Sequence, residues 1–285
     1  MSGVEGRVGR TAETDVVTLD HGTRTARRDD VVAEEPLELR VVARGASQTI
    51  AVTMRTPGND FELVAGFLFD ESIVHSREEI ASVTYCLDPG TDPEQRYNVV
   101  SVELRGAPRD LTRFERHFTM SSACGVCGRA QLDALRELGV RPLDDGVRVS
   151  AELLFRLPQR MRDAQRVFAS TGGLHAAALF DERGDVVAVR EDVGRHNAVD
   201  KLVGWGFLDG RLPFARSVML VSGRAGYEIL QKSVMARIPV VCSVSAPSSL
   251  AVQLAKEFNV TLVGFLRGER ANVYAASERI LSEAG

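Results

Sequence analysis

Lysine is scarce in this 285-residue chain: only Lys201, Lys232 and Lys256 stand among thirty-five basic residues, the rest being arginine. Arginine used so freely in an Ala- and Val-rich sequence reflects coding bias, and a single arginine carries little weight. A charge excess is also missing. The net charge of −4 gives no global attraction to nucleic acid or to an anionic membrane. No apolar run approaches the ~20 residues of a membrane helix, and the N-terminus has no signal-peptide apolar region. Four cysteines are too few for a disulfide scaffold at this length and point to thiol or metal chemistry in a reducing compartment. The expectation is a cytoplasmic protein without a nucleic-acid or membrane role. What is present, 44% hydrophobic and 26% charged residues, suits an ordinary globular chain of one large or two modest domains.

Met1 to Asp15 is rich in Gly, Arg and Glu without periodicity and reads as a loose tail. Residues 16–117 read as a small α+β domain. Strands are expected over Leu37 to Ala43 and Gln48 to Arg55 around the turn Arg44-Gly45-Ala46-Ser47, and again over Ile80 to Leu87 and Asn98 to Leu104. A helix, capped by Asn59 or Asp60, runs to Phe69 on the apolar positions Phe61, Val64, Ala65 and Leu68. Nothing in this half offers a phosphate loop or a catalytic pair, so it reads as a packing and docking unit. Residues 118–150 form a cysteine loop and a connecting helix, with Leu132, Leu135 and Leu138 at helical spacing.

Residues 151–285 change rhythm. A helical segment over Leu153 to Ala164 is interrupted near Pro158. Beyond it, apolar strands ending at Arg190, Val221, Val244 and Leu266 alternate with helices. The expected fold class is α/β: a mixed, partly parallel sheet with helices on both faces, beside the smaller N-terminal α+β domain. Ligands of such sheets bind at the carboxyl ends of the strands. The four strand-ending loops there supply Arg195 and His196, Ser222 and Arg224, Ser245 and Ser248, and Arg267 and Arg270. Small residues, helix N-termini and arginine forks together suit a phosphorylated ligand of some size. His175 reads as a hydrogen-bonded core histidine, Cys242 as a small hydrophobe, and Lys201 and Lys232 as solvated charges on helix faces.

The remaining chemistry lies in Ser121-Ser122-Ala123-Cys124-Gly125-Val126-Cys127-Gly128. A thiol pair at or before a helix N-terminus favours thiolate, the form that attacks sulfur or binds metal. Structural zinc would need a second close pair, which the chain lacks. Zinc deaminase chemistry would need a His-x-Glu, and His175-Ala176-Ala177 has none. Thiol-disulfide exchange of the thioredoxin kind is the stronger rival, though no strand leads into the pair and no aromatic precedes it. A polar loop bearing a low-pKa thiol suits a carrier that loads sulfur as a persulfide at one protein and unloads it at another.

Four segments together resemble the formate dehydrogenase accessory (sulfurtransferase) family. They are Ser122 to Gly128, the run Arg190-Glu191-Asp192-Val193-Gly194-Arg195-His196-Asn197 continuing to Leu202, Ser222 to Glu228, and Leu262 to Arg270, in the family's order. The resemblance implies a cytosolic sulfur carrier, usually a homodimer, with a cytidine-deaminase-like core but no deaminase chemistry. By that resemblance it takes sulfur from a cysteine desulfurase and passes it to the molybdenum bis(molybdopterin guanine dinucleotide) cofactor before insertion into formate dehydrogenase. A guanine nucleotide would occupy the same site. Carried over residue by residue, Cys124 matches the persulfide cysteine with Cys127 as its partner, their division of labour open. Phe265, Leu266, Arg267, Gly268, Glu269 and Arg270 match the cofactor-binding segment, Leu266 and Glu269 through backbone more than side chain. The alternatives are a cofactor-binding chaperone with structural cysteines and a thiol-disulfide oxidoreductase.

Overall fold

The computed structural model describes residues 9–86, 97–106, 135–144 and 146–281. Near the N-terminus, strands β1 (Thr11–Asp20) and β2 (Thr23–Val32) form an antiparallel ribbon. Its first strand begins inside the stretch read as tail. Then β3 (Glu35–Ala43) and β4 (Ala46–Arg55) make a hairpin through Arg44 and Gly45, both at positive φ, which a tight two-residue hairpin turn demands. With β5 (Ile80–Tyr85) and β6 (Val99–Leu104) they form a four-stranded sheet in the order β4-β3-β6-β5. Leu37, Leu39, Val41 and Ala43 alternate along β3 and bury one face against helix α1 (Asp60–Asp70).

The second sheet has six strands: β8 (His175–Phe180), β9 (Val186–Asp192), β10 (Val218–Val221), β11 (Val240–Ser243), β12 (Thr261–Arg267) and β13 (Arg270–Ala275). Their order is β13-β12-β11-β10-β8-β9, with β10, β11 and β12 parallel and the outer pairings antiparallel. The parallel centre is apolar on both faces because both are covered. One face packs Ala177, Leu179, Met219, Val221 and Val241 against α4 (Arg195–Leu208), α5 (Tyr227–Met235) and α6 (Ser249–Glu257). The other packs Ala178, Phe180, Leu220 and Val263 against α2 (Ala151–Ala164). The mixed sheet with helices on both faces, beside a smaller α+β unit, is the architecture expected from the sequence. A six-residue helix, α3 (Arg166–Thr171), follows α2, and a short parallel pairing joins β7 (Val149–Ser150) to β14 (Ile280–Leu281).

Two local readings are corrected. Pro158 does not interrupt α2, which runs unbroken around it. Asn59 occupies the N-cap of α1 in a left-handed conformation, but neither it nor Asp60 caps the helix through a side chain. The Asp60 carboxylate is engaged elsewhere, accepting from Arg55, the Gly58 N–H and the Tyr85 hydroxyl.

The two sheets are joined by the crossing of α1 with α4. A methyl group added at Gly66 would stand 1.9 Å from the Asp200 carbonyl oxygen, and one at Gly204 would stand 1.8 Å from that of Glu62. The two backbones therefore touch, and only glycine fits at either position. Phe207, near the end of α4, completes the core under the N-terminal sheet. At the same junction Lys232 of α5 lies 2.5 Å from Asp200 of α4 and 3.6 Å from Asp70 of α1. Burial, opposed only in part by Lys232, holds the Asp70 carboxyl well above the usual carboxylate range.

Glycine in a helix interior normally disfavours the helix by roughly 1 kcal/mol against alanine. Here the sign reverses. Gly204→Ala is expected to destabilise the protein by about 3 kcal/mol or more, because the clash is with rigid backbone. Urea unfolding checks this, and a Gly204→Ala protein as stable as the parent would show that the helices can separate freely.

Candidate functional site

At one edge of the six-stranded sheet five chain segments converge: the entry to β8 and the loops after β9, β10, β11 and β12. Contacts run continuously between them. The Ala176 N–H donates to Ser222 Oγ at 2.9 Å, and His175 Nδ1 lies 3.4 Å from the same oxygen. A Cβ on Gly223 would meet that ring at 3.3 Å and the Arg195 Cβ at 3.5 Å. Ser243 Oγ donates to the Gly223 carbonyl at 2.7 Å. Ala225 forms a parallel bridge with Pro247, so the loops after β10 and β11 run side by side. The Phe265 N–H donates to the Ser245 carbonyl at 3.0 Å, and Arg267 Nε to that of Val244 at 2.8 Å. Thus the four loops singled out in the sequence form one rim, and His175 joins them.

The loop after β9 is fixed from beneath. Asp192 is buried and accepts from four donors: Lys201 Nζ (2.6 Å), the Gly194 N–H (2.8 Å), Asn197 Nδ2 (3.0 Å) and the Thr56 N–H (3.2 Å). Lys201 also donates to the Thr56 carbonyl at 2.9 Å. Burial pushes the Lys201 ammonium below the usual lysine range, with Asp192 pulling the other way. Glu191 accepts from the Val167 and Phe168 N–H groups at the start of α3. With their neighbours so engaged, Arg195 and His196 are left on the rim.

The electrostatics of the rim follow from which charges are already matched. Asp192 is matched by Lys201, and Glu228 accepts a hydrogen bond from His196 at 2.9 Å, a contact that holds the Glu228 carboxyl below its ordinary range. Arg195, Arg224 and Arg270 have no ion-pair partner among the described residues. The N-caps of α4 and α5 are Gly194 and Gly226, which offer no side-chain cap, whereas Ser248 caps α6 by accepting from Ala251. Uncapped helix N-termini with unmatched guanidinium groups attract an anion. His175 stays neutral at pH 7: burial first, then Arg195 and His196, push its pKa below the ordinary value.

The segment 265–270 forms the outer part of this rim. Phe265 is exposed and has φ of 52°, a conformation rare for a bulky side chain, at a register shift between β12 and β13. Leu266 is buried in the core beneath α2. Arg267, Gly268, Glu269 and Arg270 are exposed, with Gly268 at positive φ in the turn. Gly264 is pressed so close to Pro247 and Tyr274 that a Cβ would come within 2.9 Å of each. Cys124 and Cys127 lie outside the described residues. The described chain resumes at Leu135, buried under α4 to α6. It is tied down by an Arg136–Glu257 ion pair and by the Leu143 N–H donating to the Phe258 carbonyl at 2.9 Å. Those anchors sit at the C-terminal end of α6, away from the rim where that helix begins.

Comparison with known proteins decides the family. The FdhD/NarQ family model matches residues 32–281. The chain belongs to the FdhD/NarQ family. It is 52% identical over 284 residues to the sulfur carrier protein FdhD of Streptomyces avermitilis, covering 97% of this chain and 98% of that one. Against the protein of the same description from Mycobacterium tuberculosis it is 49% identical over 260 residues, 89% of this chain and 92% of the other. A crystal structure from Desulfotalea psychrophila, described as a formate dehydrogenase accessory protein, superposes with a TM-score of 0.71 at 26% identity, over 95% of this chain and 99% of that one. The four segments that carried the resemblance all lie within the matched residues, and the geometry divides the labour within one of them. In the segment from Arg190 to Leu202, Asp192, Asn197 and Lys201 hold the loop while Arg195 and His196 face the rim.

Sequence reasoning missed two things. Lys201 and Lys232 are buried ion-pair members where solvated helix-face charges were expected. The signal was available, since these are two of only three lysines in an arginine-rich chain. His175 was expected in the core; it is half-buried and belongs to the rim.

Two outcomes are expected. Lys201→Met should destabilise the fold by about 3–5 kcal/mol, because Asp192 stays buried without its counter-charge. Urea unfolding of the parent and variant measures it. For His175, the unfolded chain binds a proton near the ordinary 6.5 and the folded chain only below it, so its stabilising contribution is present above that pH and lost as the pH falls. A histidine-resolved NMR titration should place His175 below 6.5, and Arg195→Gln should move it back upward.

Proposed function

We propose that this chain is a sulfur carrier for formate dehydrogenase maturation, loading sulfur on Cys124 and delivering it to a guanine-dinucleotide molybdenum cofactor held at the rim. The observation that supports this most directly is the rim itself: unmatched Arg195, Arg224 and Arg270 beside two uncapped helix N-termini, next to the outward-facing Phe265 and Arg267. Such a surface fits a ligand with several phosphates and a flat base. The pyrophosphate would lie against the N-termini of α4 and α5 and the guanidinium groups. Phe265 would offer a stacking face to a guanine, and the Gly268 turn gives close backbone approach. Leu266, being buried, serves through its backbone.

Loading is a thiolate attack. The Cys124 thiolate takes the terminal sulfur of a desulfurase persulfide, a new S–S bond forms on Cys124, and the desulfurase cysteine leaves as thiolate. Unloading uses Cys127. Its thiolate attacks the inner sulfur of the Cys124 persulfide, forming a Cys124–Cys127 disulfide and releasing the outer sulfur as hydrosulfide to the molybdenum centre. The two thiols supply the two electrons that reduction of that sulfur requires. Cys124 lies eleven chain steps before the anchored Leu135, which bounds the reach of the thiol at roughly 40 Å from that point by extended-chain length. A desulfurase and a formate dehydrogenase are the partners, the chain acts as a homodimer, and its location is the cytoplasm.

Mass spectrometry after incubation with desulfurase and cysteine should show one added sulfur on the parent and on Cys127→Ala, but none on Cys124→Ala. GDP binding by calorimetry should weaken on the order of tenfold or more in Arg195→Gln/Arg224→Gln, as for lost charge-assisted phosphate contacts. A Cys124→Ala protein that still gains sulfur would overturn the carrier role. Formate dehydrogenase activation that survives replacement of both cysteines by serine would leave a cofactor chaperone instead.

A further inference from the structure

The ribbon β1–β2 stands apart from both sheets. Its register is unbroken over ten residue pairs from Thr11↔Val32 to Asp20↔Thr23, yet nine of ten residues in β1 and eight of ten in β2 are exposed. A two-stranded ribbon with both faces in water and both edges unpaired is marginally stable by itself. Among the described residues only its root is fastened: the Ala33 N–H donates to the Arg10 carbonyl, Arg10 bonds to Asn59, and Val32 packs beside Gly173. Alternation along the strands sorts the rest. One face carries, from root to tip, the cross-strand pairs Glu13/Asp30, Asp15/Arg28, Val17/Ala26 and Leu19/Arg24. Val17 is 52% and Leu19 71% exposed, so the apolar residues of this face are gathered near the tip with no described residue covering them.

We propose that the tip half of this face docks onto the same face of a second copy of this chain, about a two-fold axis parallel to the strands. Under that symmetry each cross-strand pair meets its own counterpart reversed. Val17 lies over Ala26 of the second copy, and Ala26 over its Val17. The Leu19 side chains are covered by the aliphatic stems of the Arg24 side chains, whose guanidinium groups stay in water. Asp15 faces Arg28 of the second copy and Arg28 its Asp15, a square of alternating charge. Within each ribbon Arg28 already holds Glu13 at 3.0 Å and Asp15 at 3.7 Å; at the next pair Glu13 and Asp30 of each copy would bring four carboxylates together, more than those two shared guanidinium groups can offset. The contact therefore stops there and the roots diverge, which leaves room for the bodies to which they are attached. Attraction at the tip and repulsion at the root select one register. The face is complementary to itself, which is why a second copy is its occupant. The inference gives a surface to the homodimer proposed above and rests on that reading.

Sedimentation velocity of the full chain tests it. The parent should sediment as a dimer, and Asp15→Arg and Arg28→Asp should each weaken dimerisation by on the order of tenfold or more, through like charges brought together. An equimolar mixture of the two variants should recover the dimer, since each added charge then faces an opposite one across the axis. A folding defect within one ribbon would not be rescued by mixing. A monomeric parent would overturn both the homodimer and this face. A dimeric parent indifferent to both substitutions, or a mixture that stays monomeric, would overturn the face alone. Persulfide loading of Cys124 in the same samples reports on the sulfur-carrier reading independently.

Discussion

Everything in this structure depends on two helix backbones being allowed to touch. The α1–α4 crossing has no side-chain layer at its centre, so helices belonging to different sheets sit at a spacing that any other residue at Gly66 or Gly204 would widen. That spacing lets Phe207 reach the N-terminal core and brings Asp70, Asp200 and Lys232 within reach of one another. It also sets the position of the Thr56 segment under the loop that follows β9, and so of the rim above it.

Charge is divided between two tasks. Beneath the rim, ions are consumed in pairs: Asp192 with Lys201, Asp60 with Arg55, Asp200 with Lys232. Each acid of these three pairs is both matched and hydrogen-bonded, as burial requires. On the rim arginines are left over. The same residue type is structural in one place and available in the other, and the difference lies in the surroundings. Arg55 is enclosed with Asp60 and the Tyr97 carbonyl, whereas Arg224 stands exposed at the entrance to an uncapped helix.

Most of the sheet and its loops was legible in the sequence, because the strands from β8 to β12 are apolar runs closed by Gly, Ser and Arg, and a buried parallel sheet leaves that pattern. The convergence of four loops on one edge followed from topology without knowledge of any contact. What could not be read was long-range pairing. Nothing local announces that Lys201 reaches Asp192 and Thr56, or that Asp60 answers to Arg55 and Tyr85 and not to its own helix. Pro158 misled because the first turns of a helix tolerate a proline that its interior would not; here it stands eight residues in, and the helix continues past it. The ribbon was not read as strands: neither of its faces has a core to alternate against, so the hydrophobic rhythm that marks a strand is weak along it.

The helix crossing also sets an order of events during synthesis. Helix α1 leaves the ribosome about 130 residues before α4, and until α4 arrives the N-terminal sheet lacks Phe207 and the backbone surface that Gly66 is shaped to meet. The first half therefore cannot finish folding as an independent unit. It must wait, with apolar surface uncovered, for a segment encoded far downstream. A chain built in this way reaches its native state late and as a whole, so the rim forms only once both halves are in place.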